Sequence, residues 1–488
     1  MSAIAGILGK TADQPKVHKM IESIRHRGPN RTEFRNVGAG IVGAGELTTS
    51  KRSSPAISSG SDPTVLLDGE LYNDPGSSAS NVELVGELYG KHGKKCFAHM
   101  DGTYACAIID GDETILARDG VGARPLIYHA DNGTVCFAGE AKALLEHAAT
   151  VTELPPKHYF STREGLREFD GFAPSVPEVG LPEETAKTLE KLLVDAVRKR
   201  MEDGAVTAIA LSGGLDSSII AAVAKSINPN VKLFSTTIKR YPSKDLEFAK
   251  LMARYLGLEH EIYEITDEDI KGVIPEAVWY METFDEDCVS GAIANFFTSK
   301  MIARHSHCVA VGEGADELFG GYFRELKAID DNREKERVAK KLVDIAYNTA
   351  LRRLDRGWMS NSVNYRTPYL APEVVTFALS IPMEMKHRYD EQQGRHVEKW
   401  ILRQAFKSWL PEEIYARPKL RFAGGTGVDD LMDELTADKV DKSEWEKNGT
   451  TRSGMKLFSP KELHYYRLFG EHFPAGYEHL TARWDPFK

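Results

Sequence analysis

Glycine, serine and an aspartate are concentrated in one short turn, residues 211–218, which read LSGGLDSS. Apolar residues 206–210 precede the turn and apolar residues 219–224 follow it, which predicts a strand, a tight turn and a helix start. In that geometry the backbone N–H groups and the helix N-terminus bind anions, and glycine lets the backbone approach closely. Asp216 supplies a carboxylate for a metal that bridges to phosphate. The turn therefore predicts a nucleotide phosphate site, although it lacks the Gly-x-x-x-x-Gly-Lys-Ser/Thr spacing of a Walker loop.

A second acidic, glycine-rich segment, VGEGADELFGGY at residues 311–322, follows another apolar run. Its three acids, Glu313, Asp316 and Glu317, are costly to place together unless a cation or a proton is shared among them. Asp216 and Asp316 follow two strands of one predicted sheet, and the carboxyl ends of parallel strands meet at one edge. We therefore expect both carboxylates to bind Mg²⁺ on the phosphates of a nucleotide. A solvated acidic turn is the alternative interpretation of the second segment.

Composition limits the function without naming it. The length of 488 residues predicts about two to four domains. A net charge of −10 without a long Lys/Arg stripe argues against a nucleic acid partner. The five cysteines form no Cys-x-x-Cys pair, and no apolar run is long enough to span a membrane. We expect a cytoplasmic protein that acts on small molecules, and we leave a homodimer open.

The rhythm of the chain changes near residue 183. Before it, short β-type runs and helices near 17–24 and 81–91 predict stacked antiparallel sheets, with residues 161–182 as a connection. After it, long amphipathic helices alternate with brief apolar strands, which predicts a doubly wound parallel sheet with its ligand at the strand C-termini. The early runs are 4–8, 65–67, 104–109, 114–117, 126–129 and 134–138, and the later strands are 205–211, 232–238, 260–265 and 308–312.

The segment SGGLDSS resembles the pyrophosphate loop of the ATP pyrophosphatases, which cleave ATP between the α and β phosphates. Together with GEGADELFGGY it is similar to the synthetase domain of the asparagine synthetase family, whose relatives include the β-lactam synthetases. Further matches run to the end of the chain, at 359–370, 377–382, 399–403, 417–419, 424–427, 465–467 and 472–474. The resemblance implies an α/β protein. A sandwich of the αββα N-terminal-nucleophile type, at 1–165, would precede an ATP-pyrophosphatase domain with a helical C-terminal part, at 183–488.

The resemblance also assigns roles within the second domain. Lys419, in an Arg-x-Lys motif, would stabilise charge on the departing pyrophosphate. Asp216 and Asp316 would bind magnesium. The residues that would hold ATP are Leu211, Ser212, Gly213, Gly214, Asp216, Ser217, Ser235, Asp245 and Gly312.

Glu313 separates two branches of this family. Asparagine synthetases resemble this chain in having Glu there, where it assists the attacking amine, whereas β-lactam synthetases carry Tyr. A carboxylate placed to take the proton of an ammonium makes the amine a nucleophile, so we expect intermolecular amide formation. Two departures weigh against aspartate as the substrate, since Ser290 stands where one large branch has Arg and Asn364 stands where the family has Glu.

The first domain resembles the glutamine amidotransferase domain of the same family, through segments such as 25–29 and 68–73. That domain needs a cysteine exposed by removal of the initiating Met, because its thiolate attacks the glutamine amide. Here the position is Ser2. The family's Asn-Gly-Glu reads Asp68-Gly69-Glu70, its Ser-Asp reads Ser80-Asn81, and its His-Arg-Arg-Leu has no counterpart at residues 45–48. We therefore predict a degenerate glutaminase site at Ser2, Asp68, Glu70 and Asn81, and a domain without glutaminase activity.

These observations favour an AMP-forming carbon–nitrogen ligase that uses ATP and Mg²⁺, adenylates a small carboxylate, and passes the acyl group to ammonia or an amine. One alternative is an intramolecular cyclase like the β-lactam synthetases, which Glu313 disfavours. Another is a glutamine-dependent asparagine synthetase. A non-catalytic nucleotide-binding or scaffold protein is a third alternative, which predicts damage to a phosphate loop that is here intact.

Overall fold

The structure is a computed structural model. It describes residues 2–49, 55–58, 63–73, 80–172, 174–241, 243–322, 326, 329, 331–390, 394–418 and 428–482.

Two β-sheets packed face to face form the N-terminal domain. The six-stranded sheet has the order β2-β3-β1-β8-β7-β9, and the five-stranded sheet has the order β11-β10-β6-β5-β4. The strands are β1 Ser2–Leu8, β2 Arg31–Val37, β3 Gly40–Glu46, β4 Thr64–Leu71, β5 Gly102–Asp110, β6 Glu113–Arg118, β7 Ile127–Asp131, β8 Thr134–Ala138, β9 Thr152–Glu153, β10 His158–Ser161 and β11 Gly165–Glu168.

Side chains that alternate along β1 explain the layers. Ile4 points between the sheets and packs with Leu66, whereas Ala3 and Ile7 point to the other side, toward helix α1 (Gln14–Ser23). Helix α2 (Asn81–His92) covers the outer face of the five-stranded sheet. The order of layers is helix, sheet, sheet, helix, which confirms the predicted αββα sandwich.

Five strands of this domain escaped the sequence analysis, and one of them, β9, has only two residues. In β2 most side chains are at least partly exposed, and β3 is rich in glycine, so neither shows the apolar alternation that marks a strand. The hairpin of β10 and β11 lies at a sheet edge and is mostly exposed. Since β11 reaches Glu168, the predicted connection at 161–182 starts too early.

A five-stranded parallel sheet organises the C-terminal domain, with the order β14-β13-β12-β15-β16. The strands are β12 Ala208–Ala210, β13 Lys232–Ile238, β14 His260–Ile265, β15 Cys308–Ala310 and β16 Asn364–Arg366, and a separate hairpin is formed by β17 His387–Asp390 and β18 Arg395–Glu398. The chain starts at the central strand β12, runs outward through β13 and β14, and then returns to the other side at β15. The predicted doubly wound sheet is thus confirmed, with the strand order reversing between β12 and β15.

Helices surround this sheet and extend to the end of the described chain. They are α3 Pro182–Lys199, α4 Leu215–Ile227, α5 Lys244–Leu256, α6 Asp267–Met281, α7 Glu286–Ile302, α8 Ala315–Phe319, α9 Asn332–Ile345, α10 Ala350–Met359, α11 Pro372–Ser380, α12 Met383–Lys386, α13 Trp400–Ala405, α14 Glu412–Tyr415, α15 Val428–Thr436, α16 Lys442–Asn448 and α17 Pro460–His472. Short 3₁₀ helices span Arg25–Arg27, Gly93–His99, Ala141–Leu144, Ala346–Asn348, Pro368–Leu370, Lys407–Trp409 and Ala475–Leu480. Among the described residues, none of the helices combines the length and apolar character that a membrane span requires.

The two domains share one apolar core. Val17 and Ile21 of α1 belong to the same buried cluster as Val278 of α6, Ile293 of α7 and Phe469 of α17. Helix α1, which lies on the outer face of the first sheet, therefore shares a core with helices of the C-terminal domain. Buried charged groups join the domains as well, and these are described below.

Candidate active site

The glycine-rich turn lies at the point where the strand order reverses. Strand β12 ends at Ala210, and helix α4 begins at Leu215 with Gly214 as its N-cap residue. Gly213 has φ +80°, and a Cβ atom there would lie 2.2 Å from the backbone oxygen of Asp245. Only glycine fits this position without strain. The turn therefore presents its backbone and the N-terminal end of α4 to the same space, as the sequence predicts.

Side chains hold this turn in place. The backbone N–H of Ser212 donates to the Ser217 hydroxyl at 3.1 Å, and the two serine hydroxyls are 2.9 Å apart. Arg417 donates to the Gly213 carbonyl at 2.7 Å and also pairs with Asp245. A guanidinium thus connects the turn to helix α5, which carries Asp245.

A cavity of about 390 Å³ opens over the turn. Both acidic segments border it, because Asp216 follows β12 and Asp316 follows β15. All the residues expected to hold ATP line this cavity except Gly213, whose carbonyl Arg417 contacts. Those that line it are Leu211, Ser212, Gly214, Asp216, Ser217, Ser235, Asp245 and Gly312.

A buried lysine lies between the two predicted metal ligands. The Lys399 ammonium is 2.6 Å from Asp216 Oδ2 and also pairs with Asp316 Oδ1. Burial would lower the pKa of Lys399, but the two carboxylates outweigh it and raise the pKa above its ordinary value. The lysine is therefore charged and keeps two like charges close together.

Glu313 faces a cation that also lines the cavity. Arg353 of α10 lies 3.5 Å from Glu313 Oε1 and 3.3 Å from Asp287 Oδ2. Burial alone would lower the pKa of Arg353, but these carboxylates raise it. Asn295, Thr298 and Trp358 also line this part of the cavity. The site therefore combines the glycine-rich turn with polar side chains that include a carboxylate and a guanidinium.

Sequence reasoning missed Lys399 and Arg353 as site residues. Lys399 belongs to the KWILR segment, one of several short matches to the family, and nothing in that segment singles out the lysine. Arg353 lies on an amphipathic helix in which neighbouring arginines look equally suited to a role. Neither motif nor spacing distinguishes Lys399 and Arg353 from other basic residues, because their contacts are with residues far away in the sequence.

Three other predicted positions have different outcomes. Lys419 and the segment 424–427 lie outside the described residues, although the preceding residue, Pro418, lines the cavity. Ser290 is buried within α7, and its hydroxyl has no hydrogen-bond partner in the described part of the chain. Asn364 lies between the domains, where it donates to Glu70 at 3.0 Å and accepts from Arg124 at 3.0 Å.

Ser2, which belongs to the predicted degenerate glutaminase site, is buried. Its backbone N–H donates to Asp68 Oδ1 at 3.0 Å, and Asp68 Oδ2 accepts from Arg27 at 2.8 Å. Glu70 pairs with Arg366 at 2.7 Å. Burial would raise the pKa of Glu70, but Arg366 outweighs it and lowers the pKa to about 2. Asn81 is the first residue of α2.

An αββα sandwich followed by a doubly wound sheet with a glycine-rich turn at its switch point defines a nucleotide-dependent synthetase with an amidotransferase-like domain. The chain belongs to the asparagine synthase family. The model of that family matches residues 188–346 and 329–484, and the model of the glutamine amidotransferase domain matches residues 1–164. The protein is accordingly an ATP-dependent ligase that forms carbon–nitrogen bonds.

Its relatives resemble it over nearly the whole length. Asparagine synthetase 3 (glutamine-hydrolyzing) of Arabidopsis thaliana is 29% identical, over 100% of this chain and 90% of its own. The asparagine synthetase (glutamine-hydrolyzing) of Sandersonia aurantiaca is 28% identical, over 97% of this chain and 96% of its own. Among solved structures, the glutamine phosphoribosylpyrophosphate amidotransferase of Bacillus subtilis superposes with a TM-score of 0.30 at 17% identity, over 53% of this chain and 65% of that one.

We expect Gly213→Ala to abolish nucleotide binding, because the added Cβ meets the Asp245 carbonyl and the turn must shift. Gly204→Ala is the matched control, since Gly204 also has positive φ (+71°) but has open space around its Cβ position. Both variants carry the backbone cost of alanine at positive φ, which is about 1 kcal/mol or more. Isothermal titration with ATP checks the difference, and equal affinities for the two variants would contradict the role of the turn.

Asp316→Asn should reduce ATP cleavage at least about a hundredfold, because it removes one of the two carboxylates expected to bind the Mg²⁺ that neutralises charge on the phosphates. Asp216→Asn should have the same effect. Pyrophosphate release measures this, with circular dichroism to show that each variant is folded. Near wild-type turnover in either folded variant would show that its carboxylate is not used.

Proposed function

We propose that this protein adenylates a small carboxylate with ATP and transfers the acyl group to ammonia or an amine, without hydrolysing glutamine. The observation that carries the proposal is one cavity that joins the glycine-rich turn, the Asp216–Lys399–Asp316 cluster and Glu313. In this proposal residues 1–165 form the inactive amidotransferase-like domain and residues 183–488 the synthetase domain.

ATP would lie along the edge of the parallel sheet. The turn at residues 211–214 and the N-terminal end of α4 would bind its phosphates, whose negative charge suits free N–H groups at a helix start. Ser235 and Asp245 would border the adenosine. The hydroxyl of Ser235 donates to the Leu211 carbonyl, and His260 Nε2 lies 2.7 Å from the same hydroxyl.

The same edge fits a magnesium ion bound together with the nucleotide. Mg²⁺ prefers oxygen ligands and is commonly held by one or two carboxylates plus substrate phosphates. Asp216 and Asp316 would supply two carboxylates on the cavity wall, brought together by Lys399. The described residues contain no cluster of three or more His, Cys, Asp and Glu that would hold a metal alone. When bound, the metal would neutralise charge on the phosphates.

Cationic side chains would stabilise the leaving pyrophosphate. As the carboxylate oxygen attacks the α phosphorus, the bond from that phosphorus to the bridging oxygen breaks and charge develops on pyrophosphate. The Lys399 ammonium lies on the wall of the cavity beside the turn, where it would interact with phosphate oxygens. We propose the same role for Lys419.

The second half-reaction would take place beside Glu313. An ammonium has no lone pair, so a base must take its proton before it attacks the acyl carbon. Glu313 lines the cavity and is held by Arg353. Intermolecular transfer to an amine is therefore favoured over ring closure.

Several features oppose glutamine hydrolysis. The position of the thiolate is occupied by the Ser2 hydroxyl, and Asp68 brings a carboxylate where an oxyanion needs a donor. That carboxylate is already engaged by Arg27 and the Ser2 N–H. Glutamine-dependent asparagine synthesis remains the second candidate, because the relatives described above are named as glutamine-hydrolyzing.

A screen of carboxylic acids with ATP, Mg²⁺ and ammonium tests the proposal. Pyrophosphate and AMP should appear only with the true acid, in equal amounts. Release of ADP and orthophosphate instead would contradict adenylation.

Glu313→Gln should preserve adenylation while amide formation slows about a hundredfold or more, because the side chain keeps its size but loses the proton acceptor. The check is carboxylate-dependent exchange of labelled pyrophosphate into ATP, measured beside amide yield. Joint loss of exchange and product would place Glu313 in the first half-reaction.

The wild-type protein should release no glutamate from glutamine, with or without ATP, and Ser2→Cys should not restore the activity, since Asp68 would still oppose an oxyanion. An enzymatic glutamate assay measures this, with ammonium as the positive control for amide formation. Glutamate release that Ser2→Ala abolishes would make Ser2 a working nucleophile.

A further inference from the structure

Helix α10 (Ala350–Met359) touches both the N-terminal domain and the active-site cavity. Arg353, Leu354 and Trp358 line the cavity. Asp355 and Arg356 bond to groups of the N-terminal domain instead. Because one rigid helix carries both sets, a displacement of one set displaces the other.

Asp355 is the residue that the N-terminal domain holds most fully. Arg27 binds both of its oxygens, with Nη1 2.7 Å from Oδ2 and Nη2 3.1 Å from Oδ1. Arg124 reaches Oδ1 at 3.3 Å, and the Tyr365 hydroxyl lies 3.1 Å from the same oxygen. Burial would raise the pKa of Asp355, but Arg27 outweighs it and lowers the pKa to about 2. The carboxylate is therefore ionised and gripped in two-point geometry.

Residues of the degenerate glutaminase site hold Arg27 in turn. Its guanidinium is buried and is also bound by Asp68 and Glu140, each at 2.8 Å. Asp68 is the carboxylate that replaces an amide of the family pattern, and it also accepts from the Ser2 N–H. A continuous chain of bonds thus runs from β1 through Asp68, Arg27 and Asp355 to α10.

The cavity side of α10 is sensitive to small movements. Arg353 is 3.5 Å from Glu313 and 3.3 Å from Asp287, which is near the upper limit for hydrogen bonds. A side chain at Gly291 would lie 2.5 Å from Arg353 Cδ, so α7 leaves this arginine little room to adjust. A shift of α10 by a few tenths of an ångström away from Glu313 would therefore take this contact beyond hydrogen-bond distance.

We propose that Asp355 is a positioning residue for the synthetase reaction: the converted glutaminase site grips it through Arg27, and α10 thereby keeps Arg353 against Glu313. This role rests on the proposed function. It also gives the N-terminal domain a purpose other than glutamine hydrolysis. Asp355 touches no substrate and acts through Arg353.

Asp355→Asn, Arg353→Gln and the double variant test this in the full-length protein. Each single variant should lower kcat for amide formation, or raise KM for the carboxylate, by about tenfold to a hundredfold, as a small misplacement does. KM for ATP should stay within about twofold, because the phosphate turn lies on other elements. The double variant should lose no more activity than the more impaired of the two single variants. Both changes act on the same contact, so their effects should not add. Asp195→Asn on the exposed side of α3 is the control and should behave as wild type.

Independent effects that multiply in the double variant would overturn the proposal, as would an unchanged Asp355→Asn protein. If Asp355→Asn does not fold, Arg27→Lys keeps the charge but loses the two-point grip, and it should shift the same parameters in the same direction. An unaltered Arg27→Lys enzyme would then contradict the role. A wild-type protein that cleaves ATP with no carboxylate would instead overturn the proposed function itself.

Discussion

Two carboxylates and one ammonium at the edge of the parallel sheet set the conditions for the rest of the site. Asp216 and Asp316 follow neighbouring strands, so the strand order alone brings like charges together. In a partly buried cavity their repulsion would raise a pKa or push the strands' ends apart. The Lys399 ammonium offsets this repulsion. The two carboxylates in turn raise the pKa of Lys399, so the lysine remains charged. This cluster, the glycine-rich turn and Glu313 all line the same cavity.

A second set of buried charges joins the two domains. Breaking a buried ion pair leaves an uncompensated charge, so each member depends on its partners. Arg27 and Asp355 belong to different domains, and Asn364 bonds both Glu70 and Arg124 across the same boundary. Arg27 also binds Asp68, so this set of charges extends into the predicted degenerate glutaminase site. These bonds connect the N-terminal domain to α10, which carries residues that line the cavity.

Local sequence patterns predicted much of this, and long-range contacts explain what they missed. The turn at 211–218 and the convergence of Asp216 and Asp316 followed from apolar runs and glycine alone. Strand β16 has only three residues, too few to show any periodicity. Lys399 is 183 residues from the aspartate that it binds, so no motif connects them. The substitution at Asn364 suggested a change in the substrate pocket, yet the residue lies between the domains, which only the fold reveals.

The transfer of oxygen from the carboxylate tests the central claim most directly. If the substrate carboxylate is labelled with oxygen-18, attack on the α phosphorus leaves one labelled oxygen in AMP when the amine displaces the adenylate. The account predicts singly labelled AMP and unlabelled pyrophosphate, by mass spectrometry of a single reaction mixture. Label found in orthophosphate would contradict an acyl adenylate. Unlabelled AMP, with the label found in water instead, would contradict it too, and with it the role assigned to this site.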